Sequence, residues 1–257
     1  MRLRLLALAP FPLAILLALA ASFMSGPALA YQLEGVIVKA LAAAGCAVAA
    51  GAFPRRSRLR LAWGLQAACY AVLSLKTLPG LIDVVLLMRV STLFANLVAP
   101  AAAFLMVQAW YGAGLSPAIP RRGRWLLPLL ALGCGLALAG PTLAARLELV
   151  GKDPTALLLV FSAIGDIGSI TLLAPLLLIA IAMRGGRLAW PWGILATGEL
   201  CWLLYDLASL VAPLLLGPAS ALGATEAMRT AGCLFYASAG LAQRLVSRPA
   251  PSQAPPA

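Results

Sequence analysis

The chain contains no histidine, which excludes a phospho-accepting histidine, a histidine-held haem and the His-rich metal sites of membrane metalloproteases. Charge is nearly as scarce. Only 11% of the 257 residues are Asp, Glu, Lys or Arg, whereas a soluble globular domain carries about a quarter. Lysine is almost missing, and eight acids stand against 19 basic residues. The five cysteines (Cys46, Cys69, Cys134, Cys201 and Cys233) form no Cys-x-x-Cys pair and each lies within an apolar run, so they read as small hydrophobes rather than as metal or redox groups. No phosphate loop, nucleophilic triad or metal cluster is legible, and neither cofactor nor metal is expected. Gly133, Gly135 and Gly140 read as small-residue helix contacts and not as a phosphate-binding turn.

What fills the chain instead is hydrocarbon. Apolar residues make up 63% of it, with a mean hydropathy of +0.98. Apolar runs of 18 or more residues recur throughout, the signature of helices that cross a bilayer needing about 20 residues each. Eight such segments are expected, running roughly Leu5–Met24, Gly35–Phe53, Leu61–Leu78, Val84–Gln108, Trp125–Leu143, Thr155–Met183, Trp190–Leu216 and Ala221–Gln243. The predicted fold is an all-α, polytopic transmembrane helix bundle of eight spans. It forms a single domain over 1–248, followed by a disordered Pro/Ala tail over 249–257. Short connections predict that consecutive helices are antiparallel neighbours. The first 30 residues also resemble a signal peptide: Arg2 and Arg4 precede an apolar stretch, and Ala28-Leu29-Ala30 offers a small-residue cleavage site. Cleavage would leave seven spans. The length of the stretch favours its retention as a first span.

The net charge of +11 raises the question of nucleic acid, but its distribution answers against that partner. Alternate connections hold Arg2 and Arg4; Arg55, Arg56, Arg58 and Arg60; Arg121, Arg122 and Arg124; Arg184 and Arg187; and Arg244 and Arg248, with no acid among them. The opposite connections hold Glu34, Lys76, Asp83, Arg146, Glu148, Lys152 and Asp153, a nearly neutral mixture. The positive-inside rule places the arginine loops in the cytoplasm. Trp63, Trp110, Trp125, Trp190 and Trp192 lie at the same ends, as an interfacial aromatic belt requires. The Ala, Leu, Gly and Arg bias suggests a GC-rich bacterial genome, and the bacterial inner membrane as location. The lipid bilayer is then the first partner of the chain, and the arginine loops suit anionic headgroups.

Six ionised residues fall inside the apolar runs: Arg89, Asp166, Glu199, Asp206, Glu226 and Arg229. Charges at membrane depth cost a few kcal/mol each by insertion scales (about 2.5–3.5), so they face a bundle interior, where they pair or act. By helical rise, Asp206 lies about 15 Å deep, Asp166 about 17 Å and Glu199 about 25 Å from the ends opposite the arginine loops. Glu199 and Asp206, seven apart, share a helix face with Tyr205 and Trp202 beside them. Glu226 and Arg229, three apart, are placed to pair along one helix. Lys39 is shallow enough to snorkel outward and is set aside. A structural role would have Arg89 and Arg229 neutralise two of the carboxylates. A functional role follows from four acids facing two bases, which leaves a carboxylate to take a proton, a cation or a ligand. The candidate ligand or ion site is therefore Asp166, Glu199, Asp206, Tyr205, Arg89 and Arg229. Val98-Ala99-Pro100 and Leu173-Ala174-Pro175 share a tripeptide, and each proline is expected to kink its helix.

Two resemblances bear on function. Ala163-Ile164-Gly165-Asp166 and Tyr205-Asp206 resemble the Gly-x-Gly-Asp and Tyr-Asp motifs of intramembrane aspartyl proteases, in which two carboxylates share a proton and activate water. The match departs at Ala163, in the order of the two motifs, and in the only Pro-Ala-Leu lying at Pro27–Leu29. Gly165-Asp166-Ile167-Gly168-Ser169, then Arg184-Gly185-Gly186-Arg187, Trp190-Pro191-Trp192-Gly193 and Cys201-Trp202-Leu203-Leu204-Tyr205-Asp206 are together similar to the multi-span N-terminal membrane modules of bacterial diguanylate cyclases and sensor kinases. That resemblance implies a non-enzymatic sensor or partner-docking module, answering to a small or lipid-soluble ligand, with signalling output supplied by a protein partner. It transfers no residue role. The alternative is a small proton- or cation-coupled transporter built on the same acids.

Overall fold

In a computed structural model the described residues are 2–24, 27–78, 84–113, 121–153 and 156–247. They form nine helices and no strand: α1 (Arg2–Leu8), α2 (Pro10–Ser22), α3 (Pro27–Ala50), α4 (Arg58–Lys76), α5 (Val85–Gly112), α6 (Arg121–Val150), α7 (Ala156–Ala182), α8 (Ala189–Leu215) and α9 (Pro218–Val246). Each of the eight expected segments is helical. The first is broken into α1 and α2 with a 42° bend, where Pro10 opens the second piece and supplies no backbone N–H to the turn before it. Local signals account for other boundaries. The Ser57 hydroxyl accepts from the Leu59 amide at 3.2 Å and caps α4. Gly185, at φ +92°, makes the turn between α7 and α8 in a conformation that disfavours a side chain. α5 and α7 run on through Pro100 and Pro175. The proposed tail, Asp83 and Arg248 lie outside the described residues.

Six helices close into a ring. α3 packs on α4, α4 on α5, α5 on α7, α7 on α8, α8 on α9, and α9 returns to α3. α6 lies outside the ring against α7, and α2 lies outside against α9. One expected neighbour relation is thereby corrected: after α4, α5 takes α7 as its partner, and α6, the next helix in the chain, is displaced to the periphery. The two seams that join the earlier helices to the later ones are both closed by glycine. A Cβ on Gly240 of α9 would stand 2.0 Å from the Gly45 carbonyl oxygen on α3, and one on Gly165 of α7 would stand 1.9 Å from the Asn96 carbonyl oxygen on α5. Helices without a hydrophobic drive between them associate through such close small-residue contacts.

The span count is the principal correction. Among the described residues three helices are both long and apolar enough to cross a membrane: Ala28–Ala50, Val85–Gly112 and Ala156–Ala182. The bent α1–α2 pair makes a fourth if taken as one span. That is not eight. In α6 the described apolar stretch is the shorter Trp125–Ala137. α4 and α9 have 19 and 29 residues, so length is not what they lack. Arg58, Arg60, Gln66 and Lys76 in α4, and Glu226, Arg229, Gln243 and Arg244 in α9, dilute their apolar runs. The missing hydropathy is the mark of helices that turn polar side chains to one another, and several of those side chains meet inside the ring.

Candidate functional site

The ring is filled differently at its two ends. Toward the arginine loops it is solid. Trp63, Ala103, Met106, Trp110, Leu176, Ile179, Trp192 and Leu195 belong to one buried apolar cluster, and Met106 and Ile179 are fully inaccessible. Toward the other end the same helices surround a polar cavity of about 490 Å³. Its charged lining is Lys39 on α3, Lys76 on α4, Arg146 on α6, Asp166 on α7, Glu199 and Asp206 on α8, and Arg229 on α9. Gln66, Tyr70, Asn96, Ser162, Ser169, Trp202, Tyr205 and Tyr236 supply most of the neutral polar surface.

Two of the three acids are tied to neutral donors. The Asn96 amide donates to the Asp166 carboxylate at 2.6 Å and to the Ser162 hydroxyl at 2.7 Å. Across the Gly165 seam, this links α5 to α7. The buried Tyr236 hydroxyl donates to Glu199, while the Gln66 side-chain N–H donates to the same hydroxyl at 3.4 Å. The Trp202 indole N–H donates to the Tyr70 hydroxyl at 2.8 Å, and the Tyr70 and Tyr236 rings pack at a tilt with centroids 4.8 Å apart. Hydroxyls that both donate and accept can string such groups into a fixed network. The floor of the cavity is thus a rigid aromatic and amide layer carrying one carboxylate.

Of the sequence-derived site, Asp166, Glu199, Asp206, Tyr205 and Arg229 all line this one cavity. Arg89 does not. It pairs with Asp153 at 2.8 Å, near the helix ends, because its long side chain reaches an acid at the rim more cheaply than one at depth. The expected pairing of Glu226 with Arg229 along α9 is present, and Arg229 also donates to the Tyr31 carbonyl at 3.0 Å. Lys39 is the reverse case. Set aside as able to snorkel, it is 4% exposed and lines the cavity, since the α3 face that bears it is turned into the ring. Gln66, Asn96 and Tyr236 were missed. A signal for them existed: each is a neutral hydrogen-bonding group within an apolar run, subject to the same desolvation argument as a charge.

No family model, curated protein or solved structure matches the chain. The likeness to cyclase and kinase sensor modules therefore rests on the quoted residues alone. Among the described residues no group of His, Cys, Asp and Glu is arranged to hold a metal ion.

Proposed function

We propose that the chain is a multi-pass membrane protein that binds a small ligand in the ring cavity from one side only, as a non-enzymatic sensor or accessory module whose output passes through a protein partner. In this reading α4, α6, α8 and α9 cross the bilayer beside the more apolar helices, their polar faces turned to one another. The arginine loops lie on the cytoplasmic side of a bacterial inner membrane and the cavity opens toward the other. The observation that carries it is the division of the ring: polar cavity at one end, packed aromatic and aliphatic side chains at the other. A sensor needs access from one face. A transporter must bring the same acids to water from both.

A transporter is the second reading, supported by Pro100 and Pro175 in α5 and α7, the helices that meet at the Gly165 seam. A Cβ on Gly168 of α7 would touch the Pro100 ring at 3.4 Å, so the two helices are close at that proline. The paired-aspartate protease has less support. Asp166 feels the charge of Asp206, but its hydrogen bond goes to Asn96, and no hydrogen bond joins the two acids among the described residues.

The test is thiol labelling of Ser169→Cys, in a Cys69→Ala, Cys134→Ser background that removes the native thiol on the cavity lining and the exposed one. A membrane-impermeant charged thiosulfonate should react from the side opposite the arginine loops only. Labelling from both sides would favour the transporter, and labelling from neither would remove the cavity as an accessible site.

A further inference from the structure

The cavity is charged on two facing walls that do not neutralise each other. In the ring order α3, α4, α5, α7, α8, α9, the helices α3 and α4 stand across from α7 and α8. Lys39 and Lys76 project from the first wall, and Asp166, Glu199 and Asp206 from the second. Of the two arginines on the lining, Arg146 lies near Asp166 and donates to the Leu159 carbonyl at 2.9 Å, and Arg229 is engaged by Glu226. None of these lysines forms an ion pair with any of these acids among the described residues. Lys76 donates to the Thr92 hydroxyl at 2.7 Å. Lys39 makes no hydrogen bond or ion pair with any described residue, although it is 4% exposed. Its electrostatic neighbours are Arg229, the Cys233 thiol, Lys76 and Glu226, and Glu226 is already engaged by Arg229. A second buried group on the lining is equally unspent. Gln66 is 1% exposed; its N–H is directed to Tyr236, which leaves its side-chain oxygen without a donor. Tyr236 in turn donates its hydrogen bond to Glu199, so the acceptors at the floor are a carboxylate and an amide oxygen.

A buried ammonium without a counter-ion and a buried acceptor without a donor are each costly. Direct pairing between the walls would relieve both, but the cavity separates them. From this arrangement we infer that the ligand is a small zwitterion of the amino-acid kind: an anionic group taken by Lys39, and an ammonium taken by the acid wall where Glu199 and the Gln66 side chain meet at Tyr236. A purely anionic ligand would leave Glu199 and the Gln66 oxygen unmatched, and a purely cationic one would leave Lys39 unmatched. A cavity of about 490 Å³ is in the usual size range for a small-molecule site. The inference rests on the one-sided cavity proposed above and names what enters it.

The same chemistry has two sources, a free amino acid or the headgroup of phosphatidylethanolamine, and the experiment separates them. The full chain, in nanodiscs of phosphatidylglycerol alone, is titrated with each of the twenty amino acids and, for any that binds, with its methyl ester and its N-acetyl derivative. The readouts are thermal unfolding and calorimetry. The expected result is that the zwitterion binds at least tenfold more tightly than either singly charged analogue. Lys39→Met should erase the preference over the ester, and Glu199→Gln should reduce the preference over the N-acetyl form. The analogue comparison in the unaltered protein stands even if a variant fails to fold. Stabilisation by phosphatidylethanolamine in the nanodisc, lost in Lys39→Met, would support the zwitterion and assign it to the lipid. Equal binding of the singly charged analogues, or no response to free or lipid zwitterion, would overturn the inference. Labelling of Ser169→Cys from one side would show that the cavity itself survives that failure.

Discussion

The two ends of the ring are made from the same six helices, yet one is packed solid and the other encloses polar space. At the arginine-loop end the inward residues are large and apolar, Met106, Trp110, Leu176, Ile179 and Leu195. One to three helical turns further on, the same helices present Asn96, Asp166, Glu199 and Lys39. The difference lies in what the side chains lose on burial: apolar groups gain from contact and fill space, whereas charged groups on facing walls hold water or ligand between them. Each end also has its own glycine seam, Gly45 with Gly240 where the ring is solid and Gly165 with Asn96 where it is hollow.

The largest effect should come from closing those seams. In a helix Ala is favoured over Gly by about 1 kcal/mol, so Gly64→Ala, with nothing within 4 Å of the added Cβ, should raise the unfolding temperature or leave it unchanged. Gly240→Ala and Gly165→Ala should have the opposite sign. Their Cβ atoms would meet backbone oxygens at 2.0 and 1.9 Å, and losses of about 4 kcal/mol or more are expected, in the class reserved for severe packing faults. Thermal unfolding in detergent measures all three. Stabilisation by either seam variant would show that the helices do not meet there.

Next in size is the charge pair within α9. Arg229 and Glu226 are both 11% exposed, and breaking a buried pair by removing one partner costs about 3–5 kcal/mol. Arg229→Gln should therefore destabilise strongly, and Glu226→Gln added to it should recover much of the loss because no charge is then left unmatched. Failure of the second change to rescue the first would mean that Arg229 owes its worth to the Tyr31 carbonyl and the cavity, and not to Glu226.

That pair was legible in the sequence because its geometry is local: three residues on one helix fix the distance whatever the fold. So were the eight helical segments, which follow from apolar runs. What escaped was long-range. Arg89 lies four residues into α5 and goes out to Asp153, whereas Lys39, shallow when counted from Gly35, lies twelve residues into α3, which begins at Pro27, and stays in. The direction each helix face takes in the ring adds to that difference, and it is set by packing between helices distant in the chain. The number of helices apolar enough to span alone was overestimated for a related reason. Segment length was readable, but the polar face of α4 or α9 makes sense only beside the partner that buries it.

The hollow and solid ends should separate again when single side chains are shortened or neutralised. Leu176→Ala leaves a void in a fully packed region, and large-to-small changes of this kind cost about 2–5 kcal/mol. Asp166→Asn keeps the size of the side chain and remains able to bond Asn96. It should leave the unfolding temperature close to that of the parent protein while abolishing the ligand response. A stable Leu176→Ala would mean that the plug is loose, and an unfolded Asp166→Asn would make that acid structural.

The smallest effect is expected at the rim, and it tests the boundary of the cavity. Arg89 and Asp153 are 26% and 45% exposed, and ion pairs open to solvent contribute about 0–1 kcal/mol. Arg89→Gln should therefore change stability by no more than about 1 kcal/mol, with weaker dependence on salt than the parent protein because an exposed charge pair is screened. It should also leave ligand response intact, since Arg89 is absent from the cavity lining. Arg229, on that lining, should behave oppositely in both measurements. If Arg89→Gln instead removed ligand response at unchanged stability, the binding surface would have to extend past Thr92 to the helix end, and the entrance would be part of the site.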